Sequence, residues 1–331
     1  PCLTLEKLAM KKSLIALAVL TVSSAAFAQS TATISGSISY GIQDSGAAGA
    51  KAVGQSLGGG ANAITITTRE DLGGGMNAGF VGEMRFNSAT GDVGGNGNDA
   101  STQLFHQTNA YIGGGFGTVR LGKIAEANNC AFDPWGCTGT QGLASGTAGT
   151  LIGAIGNANS VRYESRNVNG FSGSYQTTMT TRNEERTTLN LSYAKGPIVA
   201  QFLQTNGGNG NTFAKGSAGD VKGQGTSIGA SYNFGKARLS VVNAKTENAA
   251  GTVTADNTAF GLTVPMGATT LLAGYSKNSK AAANADTKIA VGVNYALSKR
   301  TTIGADIFKN EGITAGAANG NGFGIRARHT F

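Results

Sequence analysis

The chain has 331 residues and a formal net charge of +8, with 52 glycines, only 4 prolines, 7% aromatic residues and 13% charged residues. Glycine destabilises helix interiors, so this composition argues against a fold built on long helices. After the N-terminal segment no apolar stripe at helical spacing is long and capped at both ends. The sequence therefore favours a chain of strands and turns.

The N-terminal segment has the three parts of a secretory signal peptide. The basic pair Lys11-Lys12 precedes an apolar run at residues 14–22 and the small-x-small cleavage signal Ala26-Phe27-Ala28. A membrane anchor, the alternative, needs about 20 apolar residues, and this run has roughly half that number. The predicted organisation is an upstream extension at residues 1–9, a signal peptide at 10–28 and one exported domain at 29–331.

The stretch "TATISGSISYGIQDSG", residues 31–46, alternates as a β-strand does. Ile34, Ile38 and Tyr40 fall on one face of the extended chain, and serines fall on the other. The same alternation, bounded by turn residues, predicts sixteen strands. They are 32–43, 61–71, 76–88, 103–113, 116–125, 159–167, 170–181, 186–194, 197–206, 223–234, 236–247, 255–264, 268–278, 285–297, 300–311 and 320–331.

The connections between these strands fall into two kinds. Tight turns are predicted at 72–75, 114–115, 168–169, 195–196, 235, 265–267 and 298–299. Longer links rich in glycine, asparagine and alanine are predicted at 44–60, 89–102, 126–158, 207–222, 248–254, 279–284 and 312–319, with only 182–185 short. Tight and long connections therefore alternate along the chain.

This alternation is typical of an up-and-down meander, in which every second connection lies at the same end, whereas a sandwich gives no reason for it. Strands of about 10 residues, an even strand number and long loops at one rim indicate an outer-membrane barrel. We therefore predict an all-β fold, a 16-stranded antiparallel transmembrane β-barrel. Its apolar face meets lipid and its serine face lines a wet lumen, because a barrel this wide leaves an aqueous channel.

Five segments in order resemble the general porins of Gram-negative bacteria, most closely the β-proteobacterial type. They are "REDLGGGMNAGFVGEMRF", "NAYIGGGFGTVRLGK", "NANSVRYESRNVNGFSGSYQ", "YALSKRTTIGAD" and the terminal Phe331. The resemblance covers the chain from about Gln29 onward. It implies a homotrimer of 16-stranded barrels with the long third loop folded into each lumen. It also implies that Phe331 is a signal for the outer-membrane assembly machinery, and we expect contacts with outer-membrane lipid and lipopolysaccharide.

The third long link, residues 126–158, is the longest, and a loop of that length without its own secondary structure is usually functional. It departs from the family, in which a Pro-Glu-Phe-Gly type stretch is expected; only "FDPWG" at 132–136 is loosely similar. Cys130 and Cys137 lie in this link. In an exported protein a disulfide is the favoured interpretation, two free thiols are the alternative, and a metal site is disfavoured because neither histidine is near.

Strand parity predicts which charges face the lumen. The inward bases are Arg69, Arg85, Arg120, Arg162, Arg166, Arg238, Lys288, Arg326 and Arg328. The clear inward acids are fewer: Glu83, Glu164 and Asp306. An excess of fixed positive charge between low-dielectric walls concentrates anions and repels cations. The sequence therefore predicts a preference for anions.

Five residues are the candidates for the pore constriction. Arg85, Arg120 and Arg162 lie nearest the middle of strands, and Glu83 is placed to orient arginines by charge-assisted hydrogen bonds. Lys123 has outward parity, but Gly122 before it permits a bulge, and the family's basic residue at the matching position faces the pore. Arginines near strand ends have a second interpretation, as rim ion pairs or contacts to lipid phosphates; these are Arg69, Arg326 and Arg328.

Three functional classes follow from this pattern. The first is a passive diffusion channel for small hydrophilic and preferably anionic solutes. An outer-membrane phospholipase would need a Ser/His pair at the lipid-facing rim, and the two histidines, His106 and His329, are scattered. The third class is an adhesin or structural barrel without an open channel, which is the alternative. No motif for a phosphate, a metal or catalysis is found, so we expect no enzyme activity, cofactor, metal or nucleic-acid partner.

Overall fold

The structure of the protein is a computed structural model. It describes residues 30–44, 51–55, 62–87, 93, 104–137, 156–179, 185–209, 222–280, 286–311 and 320–331. The predicted upstream extension and signal peptide lie outside the described residues, as does the third link between residues 137 and 156.

Seventeen strands and one turn of 3-10 helix, Cys130–Phe132, form the described part. The strands are β1 Thr31–Asp44, β2 Lys51–Gln55, β3 Ala63–Gly73, β4 Met76–Arg85, β5 Phe105–Gly114, β6 Gly117–Ala125, β7 Gly156–Glu164, β8 Phe171–Thr178, β9 Arg186–Lys195, β10 Ile198–Asn209, β11 Lys222–Asn233, β12 Arg238–Glu247, β13 Val253–Met266, β14 Thr269–Asn278, β15 Asp286–Ala296, β16 Thr301–Glu311 and β17 Gly320–Thr330. None of the helices among these residues is long and apolar enough to cross a membrane.

The strands form one antiparallel sheet that closes on itself. Each strand from β3 onward pairs with the next, and β17 pairs with β1, where Ile42 lies opposite Ile325. The sixteen predicted strands are confirmed, with ends that differ by three residues or fewer. The closed 16-stranded barrel is therefore the observed fold, with β2 as a short additional strand.

The strand β2 lies inside the predicted first long link, where the sequence lacks a bulky apolar alternation. It pairs with the C-terminal part of β1, from Tyr40 to Asp44, while β3 pairs with the N-terminal part, from Thr31 to Ser37. Between these two pairings, the buried side chain of Asn62 supplies the hydrogen bond to β1 that a strand would otherwise make. Its Oδ1 accepts a hydrogen bond from the Ser39 amide at 2.6 Å. An unpaired backbone group in hydrocarbon costs several kcal/mol. Asn62 avoids this cost by giving the Ser39 amide a hydrogen-bond partner.

The two faces of the wall have the polarity that the sequence predicts. Ile228 and Ile307 are each 62% exposed on the outer face, whereas their neighbours Ser227 and Asp306 are 2% and 3% exposed on the inner face. This is the reverse of a water-soluble sheet, in which the apolar face is buried. The outer face is therefore the surface that meets lipid, and the polar residues line the lumen.

The C-terminal residue completes the seam of the barrel. The Phe331 amide donates to the Gly36 carbonyl at 3.1 Å, and the Gly36 amide donates to the Phe331 carbonyl at 3.0 Å. A Cβ added at Gly36 would lie 2.7 Å from the Phe331 ring and 2.4 Å from the Ala63 carbonyl oxygen. Phe331 thus forms the last rung of the closing ladder, and it needs a glycine opposite.

We expect Gly36→Ala to weaken closure by about 1–3 kcal/mol, because overpacking forces side chains or backbone to shift. The measurement is the temperature at which the folded band converts to the slower unfolded band in electrophoresis after heating. Gly115→Ala is the control, since a Cβ there meets no atom within 4 Å. Equal transition temperatures for the two variants would contradict the importance of the Gly36 contact.

Candidate functional site

The described start of the third link, residues 126–137, lies against the inner wall; we call it the docked segment. It leaves the end of β6 and makes side-chain contacts with successive strands. Glu126 binds Arg186 of β9, the Asn128 carbonyl accepts from Gln201 of β10, and Asn129 donates to Ser227 of β11. These partners have inward parity, so the segment runs along the inside of the barrel.

The first anchor of the docked segment is a buried ion pair. The Glu126 side chain is fully buried, and its Oε2 accepts from Arg186 Nη2 at 2.9 Å. Its Oε1 also accepts from Thr188 at 2.8 Å and from Asn157 at 2.7 Å. Removing one member of such a pair typically costs about 3–5 kcal/mol, because the other charge is left buried and unpaired. The segment is therefore held firmly at its start.

The second anchor lies on β16, well away around the wall from the first anchor on β9. The indole Nε1 of Trp135 donates to Oδ1 of Asp306 at 2.6 Å, and the other carboxylate oxygen of Asp306 pairs with Arg326. Arg326 in turn donates to Oδ1 of Asn294. Trp135 is only 4% exposed. The docked segment is thus fixed at both ends by buried charge-assisted hydrogen bonds.

Between the anchors the inner wall has glycines where the segment packs. A Cβ added at Gly229 would lie 2.3 Å from the Phe132 ring, and one added at Gly261 would lie 2.6 Å from Pro134. The Phe132 carbonyl accepts from Ser240 at 2.6 Å. Phe132 and Trp135 join an apolar cluster on the inner wall that includes Val242, Ala259, Leu272, Ala290 and Phe308. These glycines make room for the loop.

The two cysteines of the link lie at the ends of this packed turn. Their Cα atoms are 5.1 Å apart, within the usual range for a disulfide. Phe132, Pro134 and Trp135 lie between them in the sequence. A bond between Cys130 and Cys137 would therefore close the turn that presents all three packed side chains.

Several of the predicted inward bases contact the docked segment or the wall beside it. Arg326 belongs to the second anchor, and Arg238 donates to the carbonyl of Ala131 in the segment. Lys288 is 1% exposed, with its ammonium 5.4 Å from the centre of the Phe308 ring. These three cations point inward, but their contacts are with the wall and the segment rather than with open lumen.

The opposite part of the wall, on β5–β7, carries the arginine cluster. Arg120 and Arg162 lie directly opposite each other in the register of β6 and β7. Both bind Glu164: the Arg120 Nε atom is 3.1 Å from each carboxylate oxygen, and the Arg162 Nη2 atom is 2.6 Å from Oε1. The Arg120 guanidinium also lies 5.0 Å from the Tyr111 ring centre. Two guanidinium groups share one carboxylate, so the cluster keeps a net positive charge.

The remaining candidates lie near this cluster but differ in their contacts. Arg85 and Glu83 form an ion pair on β4 with Nε and Oε1 2.6 Å apart, and Gln107 donates to the same carboxylate at 2.8 Å. Glu83 thus makes the orienting contact expected of it. Lys123 pairs in register with Thr108 and donates to the Phe105 carbonyl at 2.6 Å.

A polar cavity of about 440 Å³ lies beside Arg162. Its lining includes Gln107, Glu164, Ser174 and Asn190. Within the described ranges no three His, Cys, Asp or Glu side chains group as a metal site would require.

The anchors of the docked segment were not predicted from the sequence. Trp135, the only tryptophan of the chain, was the one compositional signal available for them.

The sequence matches the profile of the family described as Gram-negative porin over residues 13–312. It is 29% identical over 322 residues to the outer membrane porin protein 32 of Delftia acidovorans, covering 89% of this chain and 88% of that protein.

Solved structures have the same fold. The anion-selective porin from Comamonas acidovorans superposes with a TM-score of 0.70 at 21% identity, covering 92% of this chain and all of that one. A loop-deletion mutant of OmpT from Vibrio cholerae superposes with a TM-score of 0.65 at 15% identity, covering 91% of this chain and 99% of that one.

We expect Gly229→Leu to displace Phe132 and loosen the docked segment, because the new side chain would fill the space of the ring. Trp135 is the only tryptophan, so its emission reports on this segment alone. The expected result is a red shift and stronger quenching by acrylamide. Ala230→Leu, which puts the same side chain on the lipid face next door, should leave both unchanged. Identical quenching in the two variants would show that the glycine does not hold the segment.

Proposed function

We propose that this chain, which belongs to the Gram-negative porin family, passes anions in preference to cations along the arginine cluster of Arg120, Arg162 and Glu164. Family and fold are those of an outer-membrane porin, a channel for small hydrophilic solutes rather than an enzyme. The observation that carries the anion preference is that two guanidinium groups share one carboxylate on the lumenal wall.

The position of the docked segment supports this assignment. It covers the inner wall from β9 to β16, where it binds Arg238, and it is linked through Asp306 to Arg326 of β17. The wall formed by β4–β7 bears Arg85, Arg120 and Arg162, with side chains 22%, 22% and 15% exposed. Among the described residues, the charges that we expect a passing ion to meet are therefore those of the arginine cluster and its neighbour Arg85.

The strength of the effect is set by the local dielectric. Two unit charges 4 Å apart interact by about 1 kcal/mol in bulk water and about 4 kcal/mol at an effective dielectric of 20. One uncompensated guanidinium charge at the narrow part of the path therefore suffices to bias entry. Partial neutralisation by Glu164 keeps anion binding weak, and a channel needs weak binding for the ion to leave again.

The comparisons add two kinds of support. One similar structure is an anion-selective porin, and another is a trimer form of OmpT. We accordingly extend to this chain the anion preference and a homotrimeric assembly. An adhesin or a structural barrel without an open channel would show no conductance in a planar bilayer.

Replacing Arg120 and Arg162 together by Ser should leave an open channel that has lost its anion preference. Removing both bases leaves Glu164 as the fixed charge of the cluster, so the reversal potential in a chloride-salt gradient should move towards the cation side. The wild-type preference should also weaken as the screening length falls from about 10 Å at 0.1 M salt to about 3 Å at 1 M.

The matched control removes two bases outside the lumen, with Lys195→Ser and Lys236→Ser at the short-turn rim. These changes alter the net charge equally but should shift the reversal potential much less. A wild type that prefers cations, or a double arginine variant with an unchanged reversal potential, would refute the assignment of the cluster.

We also propose that Cys130 and Cys137 form a disulfide that braces the docked segment. Mass spectrometry of an unreduced digest, made with a protease that cleaves at Asp133 between the two cysteines, should show the two resulting peptides linked. Reduction should increase the acrylamide quenching of Trp135, because the packed turn loses its covalent closure. Two free thiols in the folded, exported protein would rule the bond out.

A further inference from the structure

The inner face of the closing seam carries a group of three polar side chains. Arg328 of β17 lies opposite Ser39 of β1 on one side and opposite Thr302 of β16 on the other. Directly opposite residues of an antiparallel pair point to the same face, with Cβ atoms about 4.5–5.5 Å apart. Ser39 is 2% exposed on the lumenal side, so all three side chains face the lumen. β17 ends two residues later, so the group lies near the short-turn rim.

Two buried polar atoms of this group make no hydrogen bond. They are the Nε atom of Arg328 and the hydroxyl oxygen of Ser39, and neither has a partner among the residues that the structure describes. A buried donor without a partner loses its hydration and gains nothing in return, and the loss is larger when the group is charged. The two atoms belong to residues that lie opposite each other in the register. They therefore fit a ligand that accepts hydrogen bonds from both.

The charge of Arg328 is also uncompensated. The other inward arginine of this part of β17, Arg326, pairs with Asp306, and the second carboxylate oxygen of Asp306 accepts from Trp135. Within the described part of the chain no carboxylate lies within ion-pair distance of Arg328. The inward parity of Arg328 turns it away from lipid phosphates. Its side chain is only partly buried, so an anion can reach it from the lumen.

We propose that Arg328, Ser39 and Thr302 bind a small oxyanion, a phosphate or carboxylate group, at the closing seam. The Nε–H and a neighbouring Nη–H of a guanidinium group form a fork that matches two oxygens of such a group, whereas a halide offers a single centre. The hydroxyls of Ser39 and Thr302 can donate to it from the strands on either side. The bound anion therefore ties β1, β16 and β17 together and stabilises the closed barrel.

This seam site is separate from the arginine cluster of β6 and β7. The anion at the seam is held as part of the wall and compensates the charge of Arg328, so Arg328 does not act on a passing ion. The proposal therefore does not rest on the anion preference of the channel. Its consequence is a barrel whose stability depends on a specific anion.

The test is electrophoresis after heating of the detergent-purified protein, in a dilute zwitterionic buffer with increasing inorganic phosphate. We expect the unfolding temperature of the wild type to rise by about 2–4 °C and then to saturate, because the ligand binds only the closed barrel. Chloride at the same ionic strength should raise it less. An equal rise with chloride, or no rise with phosphate, would overturn the proposal.

Three variants of the seam site assign the response to its residues. Arg328→Gln should abolish the rise, and Arg328→Lys, which keeps the charge without the fork, should weaken it. Ser39→Ala should need about tenfold more phosphate, the loss of one hydrogen bond to a charged group. Without phosphate Ser39→Ala should unfold at the wild-type temperature, because its hydroxyl has no protein partner to lose. A lower temperature there would show that the hydroxyl has a structural role instead.

Two controls separate the seam site from other effects of phosphate. Arg166→Gln removes an exposed arginine at the same rim and should respond as the wild type does. The double variant with Ser at 120 and 162 should also respond, whatever its reversal potential. Loss of the response in that variant would assign phosphate to the arginine cluster and overturn the seam site. A rise that persists in Arg328→Gln, or that never saturates in any variant, would show a general salt effect and overturn it as well.

Discussion

The whole structure depends on the requirement that no backbone amide or carbonyl in the hydrocarbon layer remain without a hydrogen bond. A sheet satisfies this requirement only if it has no free edge, and pairing of β17 with β1 removes the edge. The same requirement explains two local features. The Asn62 side chain bridges the gap between β2 and β3, and Phe331 completes the seam opposite Gly36.

Closure at sixteen strands produces a second problem, because a lumen of that width is too large for the wall side chains to fill. The docked segment fills part of this lumen and is held there by buried contacts at both ends, at Glu126 and at Trp135. The glycines of the inner wall at 229 and 261 give it room to lie close to the backbone. Among the described residues, the segment therefore covers the inner wall from β9 to β16 and leaves the wall of β4–β7 uncovered.

This division decides which charges act on a solute. Arg238 binds the segment, Arg326 pairs with the Asp306 carboxylate that binds Trp135, and Lys288 lies buried beside Phe308. Arg120 and Arg162 instead share a single carboxylate on the other side. In the proposed assignment, selectivity follows from what each arginine binds and not from the number of inward arginines.

Local alternation in the sequence determined the strands, the face that meets lipid and the barrel itself, because strand parity depends only on neighbouring residues and on the surrounding lipid. It also placed Arg120, Arg162 and Glu83 on the inner face. The path of the docked segment was decided only by the tertiary structure. Trp135 and Asp306 are 171 residues apart in the sequence, and no local pattern joins them. The same holds for Lys123, whose ammonium group binds the Phe105 carbonyl because of the strand pairing beside it. Which charges remain available to a solute is a property of such distant contacts, and these arise only when the wall and the loop are folded together.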